Sequence, residues 1–382
     1  MAPSSSSSEE AQKSEEDFLN NKSKTLTPGN TPGSDVSDTS SPFSSIVSTP
    51  NSGDSTKSSS KRTRINYDDL HISRKSLGSG ASASVVRACL KVDKKKKEKQ
   101  QFALKIIDLY EENVKAKQII SEVKALYDSA SCENVVKFYE AFHREGSIRL
   151  LIEYMDCGSL EDIYKTTGTI PENVLAEMTF QMLRALQYLE EKKIIHRDIK
   201  PANILVNKQG VTKLTDFGMS QQLNATNNRF KTFQGTYYYM SPERLKGADH
   251  SFDSDIWSLG VSIAECAIGC LPFEKGSEAS LWNLLQYVTD CKISIKKGDV
   301  SDEFLDFIHK CMEIEPEKRP SAAQLFDHPY IKKYIQDPTN FVPNRTKEWL
   351  KKVYLPAKKR KEKEAEEDES NTVSNILKNY EK

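Results

Sequence analysis

The chain contains the stretch Ile195-His196-Arg197-Asp198-Ile199-Lys200-Pro201-Ala202-Asn203, which Asp216-Phe217-Gly218 follows shortly afterwards. An Asp, a Lys and an Asn therefore stand at fixed offsets between apolar residues, and a second Asp comes next. Such a set can accept a proton from a hydroxyl group, stabilise a phosphoryl group in transfer and hold magnesium ions. The candidate residues are Asp198, Lys200 and Asn203 for catalysis, and Asn203 and Asp216 as metal ligands.

A glycine-containing turn and a lysine-bearing strand lie upstream. The turn reads Leu77-Gly78-Ser79-Gly80-Ala81-Ser82-Ala83-Ser84-Val85, where glycine lets the backbone approach a phosphate closely because no Cβ intervenes. Residues 102–106 alternate with period two, so Ala103 and Lys105 point to one face of the predicted strand. That face offers a small residue to a flat ring and an ammonium to phosphates. Either element alone also fits an ordinary hairpin or a surface lysine.

A helical stripe follows that strand. It consists of Ile119, Glu122, Val123 and Leu126, which fall at i, i+3, i+4 and i+7. Glu122 thus lies on an apolar face, and a carboxylate turned toward a core needs a partner because its unpaired burial is costly. Lys105 is the expected partner.

The two motifs resemble the H-R-D-x-K-x-x-N and D-F-G signatures of eukaryotic protein kinases. The resemblance implies an α+β fold of two lobes, with an antiparallel sheet in the N-lobe and a mainly helical C-lobe. It also implies that ATP and Mg2+ are used, and that the backbone of residues 153 and 155, in the linker between the lobes, binds adenine. The nucleotide-binding residues so implied are Leu77, Gly78, Ser79, Gly80, Val85, Ala103, Lys105, Glu122, Glu153 and Met155.

The segment after Asp216 resembles the control loop of a MAP kinase kinase. Its marks are Gln222-Leu223 and the run Tyr239-Met240-Ser241-Pro242-Glu243. The resemblance implies phosphorylation of Thr226 and Thr232, whose five intervening residues match the plant-type interval. Arg197 is the implied acceptor of a loop phosphate. Gly235 and Thr236 are the implied substrate-site residues.

The resulting prediction is a dual-specificity kinase that phosphorylates Thr and Tyr of a MAP kinase. The implied partners are a downstream MAP kinase and an upstream MAP kinase kinase kinase. Two alternatives stay open: a Ser/Thr-only kinase of a neighbouring cascade tier, and a signalling scaffold with negligible catalysis. An assay on a catalytically inactive MAP kinase separates the three.

Composition excludes other classes of function. The 382 residues carry a formal net charge of zero, which argues against bulk electrostatic binding of nucleic acid. No apolar run approaches the roughly 18 residues that span a bilayer, so membrane insertion is not expected. The 7 cysteines lack metal-ligand spacing and favour a reducing compartment. A cytoplasmic location is expected, with the nucleus as an additional one.

Changes in composition divide the chain into four predicted regions. Residues 1–64 are rich in Ser, Thr and Pro and are expected to be disordered, since they cannot bury enough apolar surface. The N-lobe and linker are assigned to residues 67–155 and the C-lobe to 156–335. Residues 336–382 form a C-terminal extension, whose charged tail fits either a frayed helix or disorder.

Two further assignments remain expectations. Basic residues 61–64 followed by residues 70–72 have the outline of a docking segment, although residues 70–72 fit the first strand better. Glu243 and Arg319 are expected to form a buried structural pair, with Asp255 and Trp257 anchoring a central helix.

Overall fold

The protein is described by a computed structural model that covers residues 64–79, 83–91, 100–108, 123–129, 131–217, 236–273, 288, 295 and 300–380. Several predicted features lie outside these residues. They are the tail before residue 64, Gly80, Glu122, Thr226, Thr232 and Gly235.

The N-terminal part is a five-stranded antiparallel sheet in the order β1-β2-β3-β5-β4. The predicted strands around Leu77, Val85 and residues 102–107 are confirmed, and the first strand begins at Leu70, as the apolar pattern indicated. The strands are β1 (Leu70–Ser79), β2 (Ala83–Leu90), β3 (Gln101–Asp108), β4 (Phe138–Arg144) and β5 (Ser147–Glu153).

The alternation in β3 decides which side chains meet the core. Phe102 and Leu104 are fully buried and pack with Leu70 and Leu151 in one apolar cluster. The intervening Ala103 and Lys105 are also buried, but they lie on the other face because successive side chains alternate across a strand. Burial of a lysine is costly without an anionic partner, so this face is the one expected to carry a site.

The C-terminal part is mainly helical, with a three-stranded sheet in the order β6-β7-β8. The α+β, two-lobed fold is therefore confirmed. The strands are β6 (Gly158–Ser159), β7 (Ile204–Val206) and β8 (Thr212–Leu214). The helices are α1 (Leu160–Thr167), α2 (Glu172–Glu191), α3 (Pro242–Leu245), α4 (Phe252–Ile268), α5 (Asp302–Cys311), α6 (Ala322–Leu325), α7 (Pro329–Tyr334), α8 (Asn344–Trp349) and α9 (Leu355–Tyr380). Shorter helical segments are residues 123–128, Tyr67–Asp69, Pro201–Asn203, Thr236–Tyr239, Pro316–Lys318 and Leu350–Tyr354.

Helix α4 forms the centre of this helical part. Its start is set by Ser251 and Ser254, which satisfy each other's backbone N–H groups in a reciprocal cap. Its end is set by Gly269 at φ 79°, a conformation that glycine adopts without steric cost. Gly260 lets α5 approach closely, since a Cβ there would lie 2.6 Å from the Cβ of Cys311. The prediction of a buried central helix is confirmed.

The C-terminal extension is helical from residue 344 to residue 380, apart from a wider turn at Leu350–Tyr354. Of the two alternatives for the charged tail, the structure shows the helix. The buried carboxylate of Glu177 accepts hydrogen bonds from the backbone N–H of Arg345 and Thr346, at 3.2 and 2.8 Å. The Tyr354 hydroxyl donates to the Cys157 carbonyl at 2.6 Å. The extension is thus attached to the body near the linker.

Thr346→Val should lower the free energy of unfolding by about 1.5–3 kcal/mol, the range for a hydrogen bond to a charged group. The buried Thr346 hydroxyl donates to Glu177 Oε2 at 2.9 Å, and valine keeps the shape while removing that donor. Urea unfolding followed by circular dichroism measures the loss. Thr339→Val is the control, since Thr339 is exposed and should change stability by less than about 0.5 kcal/mol. An equal effect of both substitutions would contradict this account.

No helix among the described residues is long and apolar enough to cross a membrane.

Candidate active site

Asp198, Lys200 and Asn203 converge on one carboxylate. The Lys200 ammonium lies 3.0 and 2.9 Å from the two carboxylate oxygens of Asp198. The Asn203 Nδ2 atom donates to Asp198 Oδ2 and to the Asp198 carbonyl, both at 2.8 Å. The Asp198 side chain is only 15% exposed, so its carboxylate is held in a fixed position. The sequence spacing placed these three residues in one group, and the structure brings them together.

The loop that carries Asp198 is held by two hydrogen bonds to Asp255 of α4. The two carboxylate oxygens of Asp255 accept hydrogen bonds from the backbone N–H of His196 and Arg197, at 2.7 and 2.9 Å. Arg197 has φ 73°, an unusual conformation for a residue other than glycine. Burial raises the pKa of Asp255 to about 7, although the two N–H donors oppose that shift. Asp255 therefore joins this loop to α4, and its expected role as an anchor of the helix itself stays a prediction.

His196 is a positioning residue that the sequence pattern did not single out. It is fully buried, its Nε2 lies 3.0 Å from the Thr215 carbonyl, and its ring packs 4.8 Å from that of Phe217. Burial lowers the pKa of His196, so the ring is neutral at neutral pH. The only sequence signal was its place in the motif, just before Arg197. Its contacts join the Asp198 loop to the segment that carries Asp216.

Lys105 and Asp216 meet across 111 positions of sequence. The Lys105 ammonium lies 2.8 Å from Asp216 Oδ1, and the two side chains are 6% and 39% exposed. Asp216 has φ 62°, and the backbone just before it is held by a hydrogen bond from Thr215 N–H to the Asn203 carbonyl at 3.0 Å. A backbone hydrogen bond therefore joins Asn203 to the segment that carries Asp216. The predicted partner of Lys105, Glu122, lies outside the described residues.

The linker after β5 has a fixed backbone. Glu153 N–H donates to the Lys137 carbonyl at 2.8 Å, and the Glu153 carboxylate pairs with Lys213 at 2.8 Å. Met155 is buried, and its carbonyl accepts a hydrogen bond from Gly158 N–H at 3.2 Å. Ala103 faces Ile152 in the β3–β5 register, so a small side chain lies beside the start of this linker.

The described part of the glycine-containing turn shows room beside its backbone. Gly78 lies opposite Val85 in the β1–β2 register, and Ser76 Oγ accepts from Gly78 N–H at 3.2 Å. Leu77 on the same strand is 45% exposed. A Cβ added at Gly78 would meet no atom within 4 Å among the described residues. Packing within the described part of the chain therefore does not require glycine there.

Other predicted site residues have no described side chain. Ser79 and Thr236 are placed only by their backbones, in β1 and in the helical turn Thr236–Tyr239. The expected contact of Thr236 with the catalytic residues therefore stays a prediction. The turn itself is fixed to α4, because the Tyr239 hydroxyl donates to Glu265 Oε2 at 2.6 Å and Ser258 Oγ donates to the Tyr239 carbonyl at 2.7 Å.

Comparison with known proteins agrees with the fold. Residues 71–331 match the family model of the protein kinase domain, which makes protein kinase the class of this chain. The chain is 37% identical to mitogen-activated protein kinase kinase 1 of Arabidopsis thaliana over 283 residues, which are 72% of this chain and 78% of that protein. Mitogen-activated protein kinase kinase 1c of Physcomitrium patens is 36% identical over 76% of this chain and 85% of its own length. The chain belongs to the mitogen-activated protein kinase kinase family.

A third relative carries a more specific description. A dual specificity mitogen-activated protein kinase kinase of Drosophila melanogaster is 39% identical over 61% of this chain and 64% of its own length. Together these similarities confirm the sequence-based prediction of an enzyme of the MAP kinase kinase type.

A protein kinase domain implies ATP and, typically, Mg2+, and the residues present fit both. Asn203 uses its Nδ2 atom for both hydrogen bonds to Asp198. Its amide oxygen is not used in these bonds and can serve as a metal ligand. Asp216 supplies carboxylate oxygens, and the residue before it is hydrogen-bonded to the Asn203 carbonyl. Among the described residues, no group of three or more His, Cys, Asp and Glu could hold a metal by itself. An amide oxygen and a carboxylate suit Mg2+, which proteins commonly bind through one or two carboxylates together with substrate phosphates.

Proposed function

We propose that this protein transfers the γ-phosphoryl group of ATP to threonine and tyrosine hydroxyls in the activation loop of a MAP kinase. The observation that carries the proposal is the Asp198 carboxylate, held within 3.0 Å of Lys200 and 2.8 Å of Asn203 on a loop that Asp255 anchors. Phosphoryl transfer depends mainly on positioning and electrostatic stabilisation, which such a preorganised set provides. The acceptor type is supported by the family and by the Drosophila relative, which is named a dual specificity kinase.

In this proposal each residue has a distinct role. Asp198 orients the substrate hydroxyl and accepts its proton at a carboxylate oxygen. The Lys200 ammonium, 2.9 Å from Asp198 Oδ2, stabilises negative charge on the transferring phosphoryl oxygens. Asn203 holds the Asp198 carboxylate in place through Nδ2. Asn203 and Asp216 are the proposed magnesium ligands, and bound Mg2+ would neutralise phosphate charge.

The nucleotide is proposed to bind between β3, the linker and the glycine-containing turn. Lys105, already paired with Asp216, contacts the α- and β-phosphates, and Ala103 leaves room for the adenine ring. The backbone of Glu153 and Met155 binds the base. The remaining contacts are proposed for Leu77, Gly78, Ser79, Gly80, Val85 and Glu122.

Control by phosphorylation belongs to the same proposal. An upstream MAP kinase kinase kinase phosphorylates Thr226 and Thr232, and Gly235 and Thr236 contribute to the substrate site. The downstream partner is a MAP kinase. A cytoplasmic location with access to the nucleus is proposed from the expected cascade alone.

The test is a kinase assay on a panel of catalytically inactive MAP kinases, with the purified full chain either phosphorylated or unphosphorylated on its loop. We expect phosphate on both the threonine and the tyrosine of at least one substrate, and higher activity after loop phosphorylation. Mass spectrometry of the substrate loop identifies the sites.

Labelling of threonine alone would instead support the neighbouring-tier kinase. Absence of labelling on every substrate, with intact ATP binding, would support the scaffold. Equal activity of the phosphorylated and unphosphorylated forms would contradict the control scheme while leaving the transfer reaction in place.

A further inference from the structure

Tyr354 joins the C-terminal extension to the chain just after the linker. Its side chain is fully buried, and its hydroxyl donates to the Cys157 carbonyl at 2.6 Å across 197 positions of sequence. Cys157 is also fully buried, so its carbonyl depends on a donor from the protein. A buried carbonyl that loses its donor is costly, and the Tyr354 hydroxyl therefore fixes the backbone at position 157.

Cys157 belongs to a tight turn that begins at Met155. The Met155 carbonyl accepts a hydrogen bond from Gly158 N–H at 3.2 Å, which closes the turn. Gly158 has φ 84°, and a Cβ added there would lie 2.7 Å from a carboxylate oxygen of Asp162. The turn is therefore closely packed against the start of α1 and has little freedom to rearrange. A shift of the Cys157 carbonyl would move Met155 as well.

The same turn is also attached to the three-stranded sheet. Cys157 N–H donates to the Val206 carbonyl of β7 at 3.1 Å. The Asp156 carboxylate accepts a hydrogen bond from the backbone N–H of Lys208 at 2.8 Å and pairs with the Lys208 ammonium at 3.2 Å. Of the two backbone groups of Cys157, one is thus bonded to the sheet and the other to Tyr354 of the extension.

The extension holds Tyr354 in place from both directions along the chain. Before Tyr354, the backbone N–H of Thr346 donates to the buried carboxylate of Glu177 at 2.8 Å. After Tyr354, the Lys361 ammonium donates to the Lys165 carbonyl of α1 at 2.8 Å. The Tyr354 hydroxyl is therefore carried by a segment that is attached to the body at two further points. A segment attached in this way can hold the turn in a defined position.

We propose that Tyr354 is a positioning residue for the nucleotide, because it fixes the linker whose backbone at Glu153 and Met155 binds adenine. The inference rests on the proposed binding of ATP at this linker. It assigns to the C-terminal extension a part in nucleotide binding. Hydrogen bonds weaken steeply when their geometry is distorted, so a displaced turn should weaken binding of the base. The Asp198 carboxylate and its partners should be unaffected, since none of them contacts the turn through the hydrogen bonds described above.

Tyr330 offers a matched control. Its side chain is also fully buried, and its hydroxyl also donates to a backbone carbonyl, that of Glu172 at 3.0 Å. Glu172 begins α2, which is not part of the linker or of the turn that follows it. Tyr354→Phe and Tyr330→Phe therefore remove the same kind of hydrogen bond. A role confined to stability predicts the same result for both substitutions.

The first experiment is a calorimetric titration of the full chain with ADP and Mg2+, a ligand that is not turned over. We expect the Kd for ADP to rise about threefold to tenfold in Tyr354→Phe, which is the effect of losing one hydrogen bond. In Tyr330→Phe the Kd should stay within about twofold of that of the unsubstituted chain, although urea unfolding should show similar losses of stability in the two variants. An unchanged Kd in Tyr354→Phe, or an equal rise in both variants, would overturn the inference.

The second experiment repeats the titration with adenosine, which carries the base without phosphates. If the linker is displaced, the Kd for adenosine should rise in Tyr354→Phe by the same factor as the Kd for ADP. A rise for ADP alone would place the loss at the phosphates and refute the role of Tyr354 in fixing the linker. In steady-state kinetics on a MAP kinase substrate, KM for ATP should rise by a similar factor while kcat changes by less than about twofold.

The outcomes distinguish the inference from the function on which it rests. If both ligands bind the unsubstituted chain and Tyr354→Phe equally well, the positioning role is refuted while the proposed function stands. If Tyr354→Phe weakens binding of both ligands but the unsubstituted chain phosphorylates no MAP kinase, the inference is supported and the proposed substrate is refuted. Absence of ADP binding to the unsubstituted chain would refute both.

Discussion

Asp198→Ala should lower kcat by about 10³- to 10⁴-fold, at the upper end of the range for removing a general base. The expected loss is large because the substitution removes the proposed proton acceptor and also the carboxylate that Lys200 contacts at 2.9 Å. The loop itself should persist, since Asn203 Nδ2 still donates to the backbone carbonyl at position 198. ATP affinity should change little because the Lys105–Asp216 pair is untouched. Steady-state kinetics on a MAP kinase substrate and calorimetric ATP titration measure the two effects.

Asp327→Ala is the matched control for this experiment. Asp327 is a carboxylate on the surface, 80% exposed and paired with the exposed Lys332. Its loss should leave both kcat and ATP affinity unchanged. Full activity in Asp198→Ala, or a parallel loss of ATP binding with unfolding, would remove the basis for Asp198 as the proton acceptor.

Glu243→Ala should lower the free energy of unfolding by about 3–5 kcal/mol, the range for breaking a buried ion pair. The Arg319 side chain is 0% exposed and makes two bonds to the Glu243 carboxylate, at 2.9 and 3.2 Å. It also donates to the carbonyls of Asp253 and Glu313 and stacks on Trp257, so its position is fixed. Removing the carboxylate therefore leaves a buried positive charge without its partner. Urea unfolding at neutral pH measures the loss.

The same pair has a predictable dependence on pH. Burial by itself raises the pKa of Glu243, but the hydrogen bonds and charge of Arg319 outweigh burial and hold it below the ordinary value of 4.5. The contribution of the pair is therefore present above pH 4.5 and is lost as the pH falls further. Glu315→Ala is the control, since its pair with Lys318 is exposed to solvent and should contribute little to stability. Equal losses in both variants would refute the buried-pair account.

Local patterns in the sequence predicted the elements of the fold well. Period two in residues 102–106 matches the buried strand β3, and helical spacing of Met178, Met182, Leu186 and Leu189 matches the buried face of α2. Such periodicity depends on the geometry of one element, so it can be read without knowing its neighbours. The spacing of Asp198, Lys200 and Asn203 was equally informative, because a short loop fixes their relative positions.

The sequence did not decide whether the charged C-terminal segment is helical. Its composition fitted both a helix and a disordered tail, since helix propensity alone is a weak guide. The structure shows a helix whose first turns are attached through Thr346 and Tyr354. The partners, Glu177 and Cys157, lie 169 and 197 positions away.

The order of side chains along the chain was therefore enough to predict the strands, the main helices and the grouping of Asp198, Lys200 and Asn203. Only the tertiary structure shows that Asp255 holds the loop of His196 from 59 positions away, or that the Tyr239 hydroxyl donates to Glu265 of α4. The physical reason is that each of these contacts depends on how α4 and its neighbouring segments pack together. Periodicity records which face of an element is buried, but not which distant group that face will meet.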